Sequence, residues 1–280
     1  MYSNESAEIH TVGIVGAGVV GMAMAEFFGG RAVLYDPKDG FCHDRDRVNA
    51  CRLALICVPT PPGEGGRCRT HIVAEAVRWL QTELIVICST VAPGTTDDLR
   101  TSSGKRIVFQ PEYIGETPAH PFPTVRSCGF IVLGGERSDT AEVAAIYRPF
   151  LAKDTKVLHC AAVTAELAKY MENAFFATKV AFCNEFYDLA QACGVDYQRL
   201  REIWLADPRV SPDHTRVDSG DRGFSGKCLP KDLDAIIAHA GQLGCEPRVL
   251  QAVREANRHL RRSMEQTPHL LDATVAGGLE

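Results

Sequence analysis

The stretch that decides the fold is His10–Asp36, HTVGIVGAGVVGMAMAEFFGGRAVLYD. HTVGIVGAG is a short apolar run ending in glycines, which predicts a buried strand leading into a tight turn. VVGMAMAEFFGG continues with apolar residues at helical spacing until glycine closes it, and RAVLYD predicts a second strand. Further short apolar runs follow at RLALICVPT, ELIVICST and KRIVFQPE. GFIVLGG and TKVLHC flank the helical stretch DTAEVAAIYRPFLA. Buried strands alternating with helices predict an α/β fold, a Rossmann-type doubly wound parallel sheet.

Inside the first stretch, Gly16-Ala17-Gly18-Val19-Val20-Gly21 fits G-x-G-x-x-G. The pattern acquires meaning from its context. It follows a predicted strand, opens a predicted helix, and Asp36 stands about twenty residues on, at the end of the next strand. The glycines let the backbone approach a pyrophosphate seated on the helix N-terminus. Asp36 is placed to accept hydrogen bonds from ribose hydroxyls, and its charge repels a 2′-phosphate, which favours NAD over NADP. The structural alternative is a glycine-rich turn that binds nothing.

The character of the chain changes near Ala161. AAVTAELAKYMENAFFATKVAFCNEFYDLAQACG has no proline, and no glycine before Gly194, so it predicts one long helix. Its apolar positions cover more than one face, which calls for more than one partner surface and predicts a homodimer. A second helix, DYQRLREIWLAD, an irregular stretch rich in Pro, Gly and Asp, and two further helices, KDLDAIIAHAGQLG and EPRVLQAVREANRHLRRSME, complete an all-helical domain. The expected division is 1-160 for the dinucleotide-binding domain and 161-280 for the helical one.

The 280 residues are 45% hydrophobic and 23% charged, with a net charge of -5 and a pI near 6.0. That balance points away from nucleic acid and anionic membrane surfaces. The N-terminus shows no signal-peptide pattern and no run reaches the length of a membrane span, so a cytoplasmic protein is expected. The 11 cysteines contain no C-x-x-C pair and read mostly as buried hydrophobes in a reducing compartment. The nine histidines show no metal-binding spacing, and no metal is expected.

The irregular stretch carries Gly223-Phe224-Ser225-Gly226-Lys227-Cys228-Leu229-Pro230-Lys231-Asp232. A cysteine in a glycine-rich loop just before a helix lies near that helix's positive end, which favours thiolate. Asp232, one turn on, can hold a water or a proton.

With this loop the chain resembles the UDP-glucose/GDP-mannose dehydrogenase family. Six motifs carry the resemblance, in the family's order. They are the glycine fingerprint, Val58-Pro59-Thr60-Pro61, Ser89-Thr90-Val91 with Pro93-Gly94-Thr95, Pro111-Glu112-Tyr113 with Glu116, Ala165-Glu166-Leu167-Ala168-Lys169-Tyr170 with Asn173, and the cysteine loop. The resemblance implies oxidation of a primary alcohol to a carboxylate in two hydride transfers. It implies that Cys228 captures the intermediate aldehyde as a thiohemiacetal and then a thioester. It implies that Lys169 and Asn173 stabilise the oxyanion, that Asp232 and Thr90 hold a water, and that Glu112 acts as acid or base with Glu116 positioning. The cofactor set it implies adds Lys38, Val58, Pro59, Thr60, Ser89 and Thr90 to the fingerprint residues and Asp36. Tyr113, Arg209, Phe224 and Gly226 join the substrate side.

Each position has a structural alternative: a structural thiol, a solvated helix face, surface acids, turn residues. Two departures from the family bear on the substrate. A counterpart of the usual third domain, which grips the nucleotide, is not expected, and the interval from Asp36 to Val58 is short. The substrate is therefore expected to be a small sugar, nucleoside or nucleotide-sugar held mainly through its sugar-like end. The loop from Arg209 to Gly223 offers Arg209, His214, Arg216 and Arg222 to a phosphate, or else is a solvated polar loop. Transient oxidation by an epimerase or dehydratase, and a non-catalytic NAD-binding scaffold, are the competing readings.

Overall fold

In the computed structural model, residues 11–38, 44–115 and 122–266 are described. The chain divides into two compact units, Met1–Lys169 and Tyr170–Glu280.

The first unit is a layered α/β structure. Its elements are β1 (Val12–Val15), α1 (Val19–Phe28), β2 (Ala32–Tyr35), α2 (Arg45–Asn49), β3 (Leu53–Ile56), α3 (His71–Trp79), β4 (Leu84–Ile87), α4 (Thr95–Ser103), β5 (Ile107–Phe109), β6 (Phe130–Gly134), α5 (Arg137–Tyr147) and β7 (Lys156–Cys160). The seven strands are ordered β2-β1-β3-β4-β5-β6-β7. β3 and β4 are buried at every position, as strands covered by helices on both faces must be. Alternate residues feed two cores. Ile14, Leu53 and Leu55 pack on one side with Phe27, Phe28 and Tyr147. Val15, Ala54 and Ile56 pack on the other with Val73, Val77 and Leu80. Phe28 and Tyr147 meet edge to face with ring centroids 5.1 Å apart, and full burial of a ring such as Phe28 stabilises the fold by about 1.5–3 kcal/mol.

The doubly wound class is the one expected. β1 to β5 run parallel, but β6 pairs antiparallel with β5 and β7 is parallel to β6. The described part of the β5–β6 connection holds no α-helix. Antiparallel neighbours need no helical crossover, whereas the parallel β6–β7 pair is joined through α5. β1 is flanked by β2 on one side and β3 on the other. The chain therefore diverges at the carboxyl ends of β1 and β3, where ligands bind in open α/β sheets.

α6 (Ala162–Ala192) begins in the first unit and continues as the axis of the second, with α7 (Tyr197–Trp204), α8 (Leu229–Gln242) and α9 (Arg248–Gln266). Its 31 residues extend about 46 Å. Within the second unit, Ala174, Ala177 and Val180 pack with Leu233, Ile237, Val253 and Phe224. The opposite face stays apolar and open: Met171 is 76%, Phe175 59% and Leu189 56% exposed. No helix of the described residues is long and apolar enough to cross a membrane.

The cysteines depart from expectation. Cys51, Cys57, Cys88 and Cys183 are buried, but Cys193, Cys228 and Cys245 are exposed. Cys57 and Cys88, the residues that follow β3 and β4, pack into the first core and Cys183 lies inside α6, while Cys193 and Cys245 lie just past the ends of α6 and α8, where the chain meets solvent.

Candidate active site

The glycine turn joins β1 to α1. Gly21 has no alternative there, because a Cβ on it would lie 1.8 Å from the Gly16 carbonyl oxygen. Gly18 is the N-cap of α1 and no side chain caps it. A Cβ there would meet no atom within 4 Å, and Val19 is 49% exposed. An uncapped helix start with open space in front of it presents backbone N–H groups to an anion. Asp36 is buried and ties the turn together. Its Oδ2 accepts from the Ala17 amide at 2.7 Å and its Oδ1 from the Lys38 amide at 2.9 Å. Each carboxylate oxygen keeps a second lone pair for a ribose hydroxyl. The turn thus fits a dinucleotide: pyrophosphate on α1, ribose on Asp36. The Lys38 side chain is exposed beside it.

The segments after β3 and β4 carry the next expected residues. Val58 is half-buried, Pro59 exposed and Thr60 buried. The Ser89 hydroxyl points back to the sheet, with the Val58 carbonyl at 2.7 Å and the Ile56 carbonyl at 3.2 Å. It braces the two strand ends against each other. Thr90 is half-buried, and its carbonyl accepts from the Cys68 thiol at 3.5 Å.

Beyond β5, Glu112 Oε1 accepts from the amides of Tyr113 at 2.7 Å and Ile114 at 2.8 Å. Burial pushes its carboxyl above the ordinary range, while those amides and the charge of Lys169 pull it back. The Lys169 ammonium lies 4.9 Å from the centre of the Tyr113 ring. The first unit therefore brings Glu112, Tyr113 and Lys169 together. Glu116 lies outside the described residues. A residue quoted only as part of a motif also proves structural: fully buried Glu166, one turn before Lys169, binds the Pro93-Gly94-Thr95 segment through the Gly94 amide at 2.6 Å.

In the second unit, Asn173 and Asp232 are both buried, and Asn173 Nδ2 donates to Asp232 Oδ2 at 2.6 Å. Lys231 Nζ meets the other oxygen at 2.5 Å. Nothing in the sequence marks Lys231 for this contact except its place between Pro230 and Asp232. Cys228 is the exposed N-cap of α8, and its carbonyl accepts from the Asp232 amide at 2.9 Å. One helical turn thus carries an exposed thiol and, behind it, a buried carboxylate held by an amide and an ammonium.

The remaining expected positions divide. Gly226 is exposed next to the thiol. Phe224 sits in the helical core instead of facing solvent, so it anchors the loop. Arg209 is exposed and forked onto Asp207, with Nη2 to Oδ2 at 2.6 Å; the pairing draws the Asp207 carboxyl below its ordinary range. An arriving phosphate would compete with Asp207. Arg222 is committed to α6 through Asn184 Oδ1 at 2.6 Å and Asp188 at 2.8 Å, and His214 stacks on Phe176 at 4.2 Å.

Comparison with known proteins assigns two domains to the chain, with the boundary between residues 151 and 163. Residues 40–151 match the NAD binding domain of the UDP-glucose/GDP-mannose dehydrogenase family, and residues 163–259 match its central domain. The first match begins downstream of the glycine turn, so the geometry of that turn stands as a separate observation. A UDP-glucose 6-dehydrogenase of Pseudomonas aeruginosa is 29% identical over 255 residues, covering 80% of this chain and 55% of that protein. A GDP-mannose 6-dehydrogenase of Azotobacter vinelandii is 27% identical over 234 residues, covering 76% and 52%. The chain spans about half the length of these curated relatives. The solved structure of a UDP-glucose dehydrogenase from Pyrobaculum islandicum superimposes with a TM-score of 0.80 at 26% identity, covering 92% of this chain and 70% of that one.

Proposed function

Because the chain belongs to the UDP-glucose/GDP-mannose dehydrogenase family, we propose that it oxidises the primary alcohol of a sugar or nucleotide-sugar-like substrate to a uronic acid through Cys228. The observation that carries this reading is the α8 turn, an exposed thiol at the helix N-cap with Asp232 buried behind it between Asn173 and Lys231.

NAD, which the first unit's domain takes, supplies the hydride acceptor, and two are consumed per alcohol. In the first oxidation the hydroxyl proton leaves to a base and the carbon gives up a hydride, leaving an aldehyde. Cys228 Sγ then attacks the aldehyde carbon as the thiol proton departs, and protonation of the oxygen completes a thiohemiacetal. A second hydride leaves the same carbon and the hydroxyl loses its proton, giving a thioester. Water adds to the acyl carbon, the C–S bond breaks, the thiol is restored and the carboxylate leaves.

Lys169 and Asn173, four residues apart on α6, are assigned to the oxyanion. Asn173 carries two N–H groups, and one of them is used on Asp232. Asp232 is assigned to the hydrolytic water and Glu112 to acid–base work. Thr60 and Thr90 are assigned to the nicotinamide side, Tyr113 and Gly226 to the sugar. The apolar face of α6 is assigned to a second copy of the chain.

The test counts NADH over a panel of sugar nucleotides, sugar phosphates, free sugars and nucleosides. Two equivalents per uronic acid are expected, with Cys228→Ser retaining NAD binding and making no acid. Substrate conversion with no net NADH would replace this reading by transient oxidation. Acid formation by the serine variant at near parental rate would remove the thioester.

A further inference from the structure

Residues 225–228, the run that ends on Cys228, are all exposed. Ser225, Gly226 and Lys227 offer no apolar anchor, so the path of the run is set at its two ends. At the far end the Asp232 amide holds the Cys228 carbonyl. At the near end stands Phe224, whose ring is in the core and whose backbone is gripped by one side chain. Asn257, on α9 and itself buried, accepts from the Phe224 amide at 2.7 Å and donates to the Phe224 carbonyl at 3.0 Å. A primary amide holds one donor edge and one acceptor edge, so it can satisfy both polar groups of one residue as a neighbouring strand would. The approach is close enough that a Cβ on Gly223 would stand 2.5 Å from Asn257 Oδ1, with φ at +79° there.

We infer that Asn257 is a positioning residue for Cys228: by clamping the peptide groups of Phe224 it sets the course of the four exposed residues that place the thiol at the start of α8. Arg261, one turn further along α9, holds the Arg222 carbonyl just ahead of the loop at 3.1 Å, but Asn257 is the α9 side chain that takes both polar groups of Phe224, and through it the last helix becomes part of the nucleophile's support. The consequence for turnover rests on the assignment of Cys228 as nucleophile; the effect on the loop does not.

The test compares the parent with Asn257→Ala, Asn257→Asp and Val253→Ala. Val253 lies one turn earlier on α9, in the same core, and its truncation loosens the packing without removing either hydrogen bond to Phe224. Alkylation of Cys228 by iodoacetamide is followed by peptide mass spectrometry, below the unfolding range of every variant. Asn257→Ala is expected to slow it about threefold or more as the thiol leaves the helix N-cap. Val253→Ala should stay near the parent, and Asn257→Asp, which keeps the acceptor for the Phe224 amide, should fall between. In turnover, kcat of Asn257→Ala should fall about tenfold or more with KM for NAD unchanged.

Hydrogen exchange on the parent provides the check that needs no variant: the Phe224 amide should be as protected as the interior of α9. Alkylation of Asn257→Ala at the same rate as Val253→Ala, or rapid exchange of the Phe224 amide, would overturn the inference. If no substrate is oxidised but alkylation and exchange behave as expected, the nucleophile assignment fails while the positioning role stands.

Discussion

Glu166 and Thr96, 70 residues apart, form a cap assembled from two helices: Glu166 Oε1 accepts from the Thr96 amide at 2.9 Å and from its hydroxyl at 2.6 Å. Gly94, the N-cap of α4, has no side chain to offer, so the carboxylate that completes the first turn comes from α6. Both residues are fully buried. Glu166→Ala strands three donors, the two on Thr96 buried and the Gly94 amide partly so, and should cost about 3 kcal/mol. Glu166→Gln turns an amide against one of the donors and should cost less, about 1–2 kcal/mol. Chemical denaturation reads both. An unchanged midpoint for Glu166→Ala would mean that solvent replaces the cap.

Glu112 gives a pH signature. Its carboxyl is raised in the folded protein, chiefly by burial, so the folded state holds that proton more tightly than the unfolded chain does. The associated stability is fully present below the ordinary carboxylate value of 4.5 and is lost as pH rises through the folded value. The stability of the parent relative to Glu112→Gln should therefore fall across that window and then level off. Lys169→Met removes a charge that opposes the shift and should move the fall to higher pH. Parallel stability curves for parent and Glu112→Gln between about pH 4 and pH 8 would contradict the assignment.

Asp36 has two tasks, and one substitution separates them. The parent should bind NAD far better than NADP, since the buried carboxylate meets a 2′-phosphate with like charge. Asp36→Ala should relax that preference. It should also destabilise the fold by about 1 kcal/mol, because the Ala17 amide loses its acceptor. Calorimetry of the parent showing equal affinity for the two cofactors would remove Asp36 from the ribose site.

The open face of α6 predicts the assembly. Met171, Phe175, Phe182 and Phe186 recur at helical spacing and are all exposed in the single chain, more apolar surface than a solitary helix face normally leaves in water. Light scattering at micromolar concentration should give a dimer, and Phe175→Glu should give a folded monomer, since a carboxylate at the centre of that face cannot be desolvated without a partner. A parent that scatters as a monomer would leave the stripe unexplained.

Which segments become strands and helices of the first unit is legible in the order of residues, because that information is local. Gly16 through Asp36 announces a strand, a glycine turn, a helix and an acid in the right order, and the run from Ala161 to Gly194 contains nothing that breaks a helix. The same holds for Cys228, whose place ahead of Pro230 puts it at a helix start. Which polar residues are used, and for what, emerges with the packing of the folded chain. Asn173 reaches Asp232 across 59 residues, Glu166 reaches Thr96 across 70 and Asn257 reaches Phe224 across 33. Ser89 turns to the carbonyl of Val58, and Phe224 turns into the core. The reason is physical. Strand and helix patterns follow from neighbours two to four positions away. A glutamate or asparagine on a helix face reads the same in sequence whether water or a buried donor will satisfy it, and only the packing of distant helices selects between them.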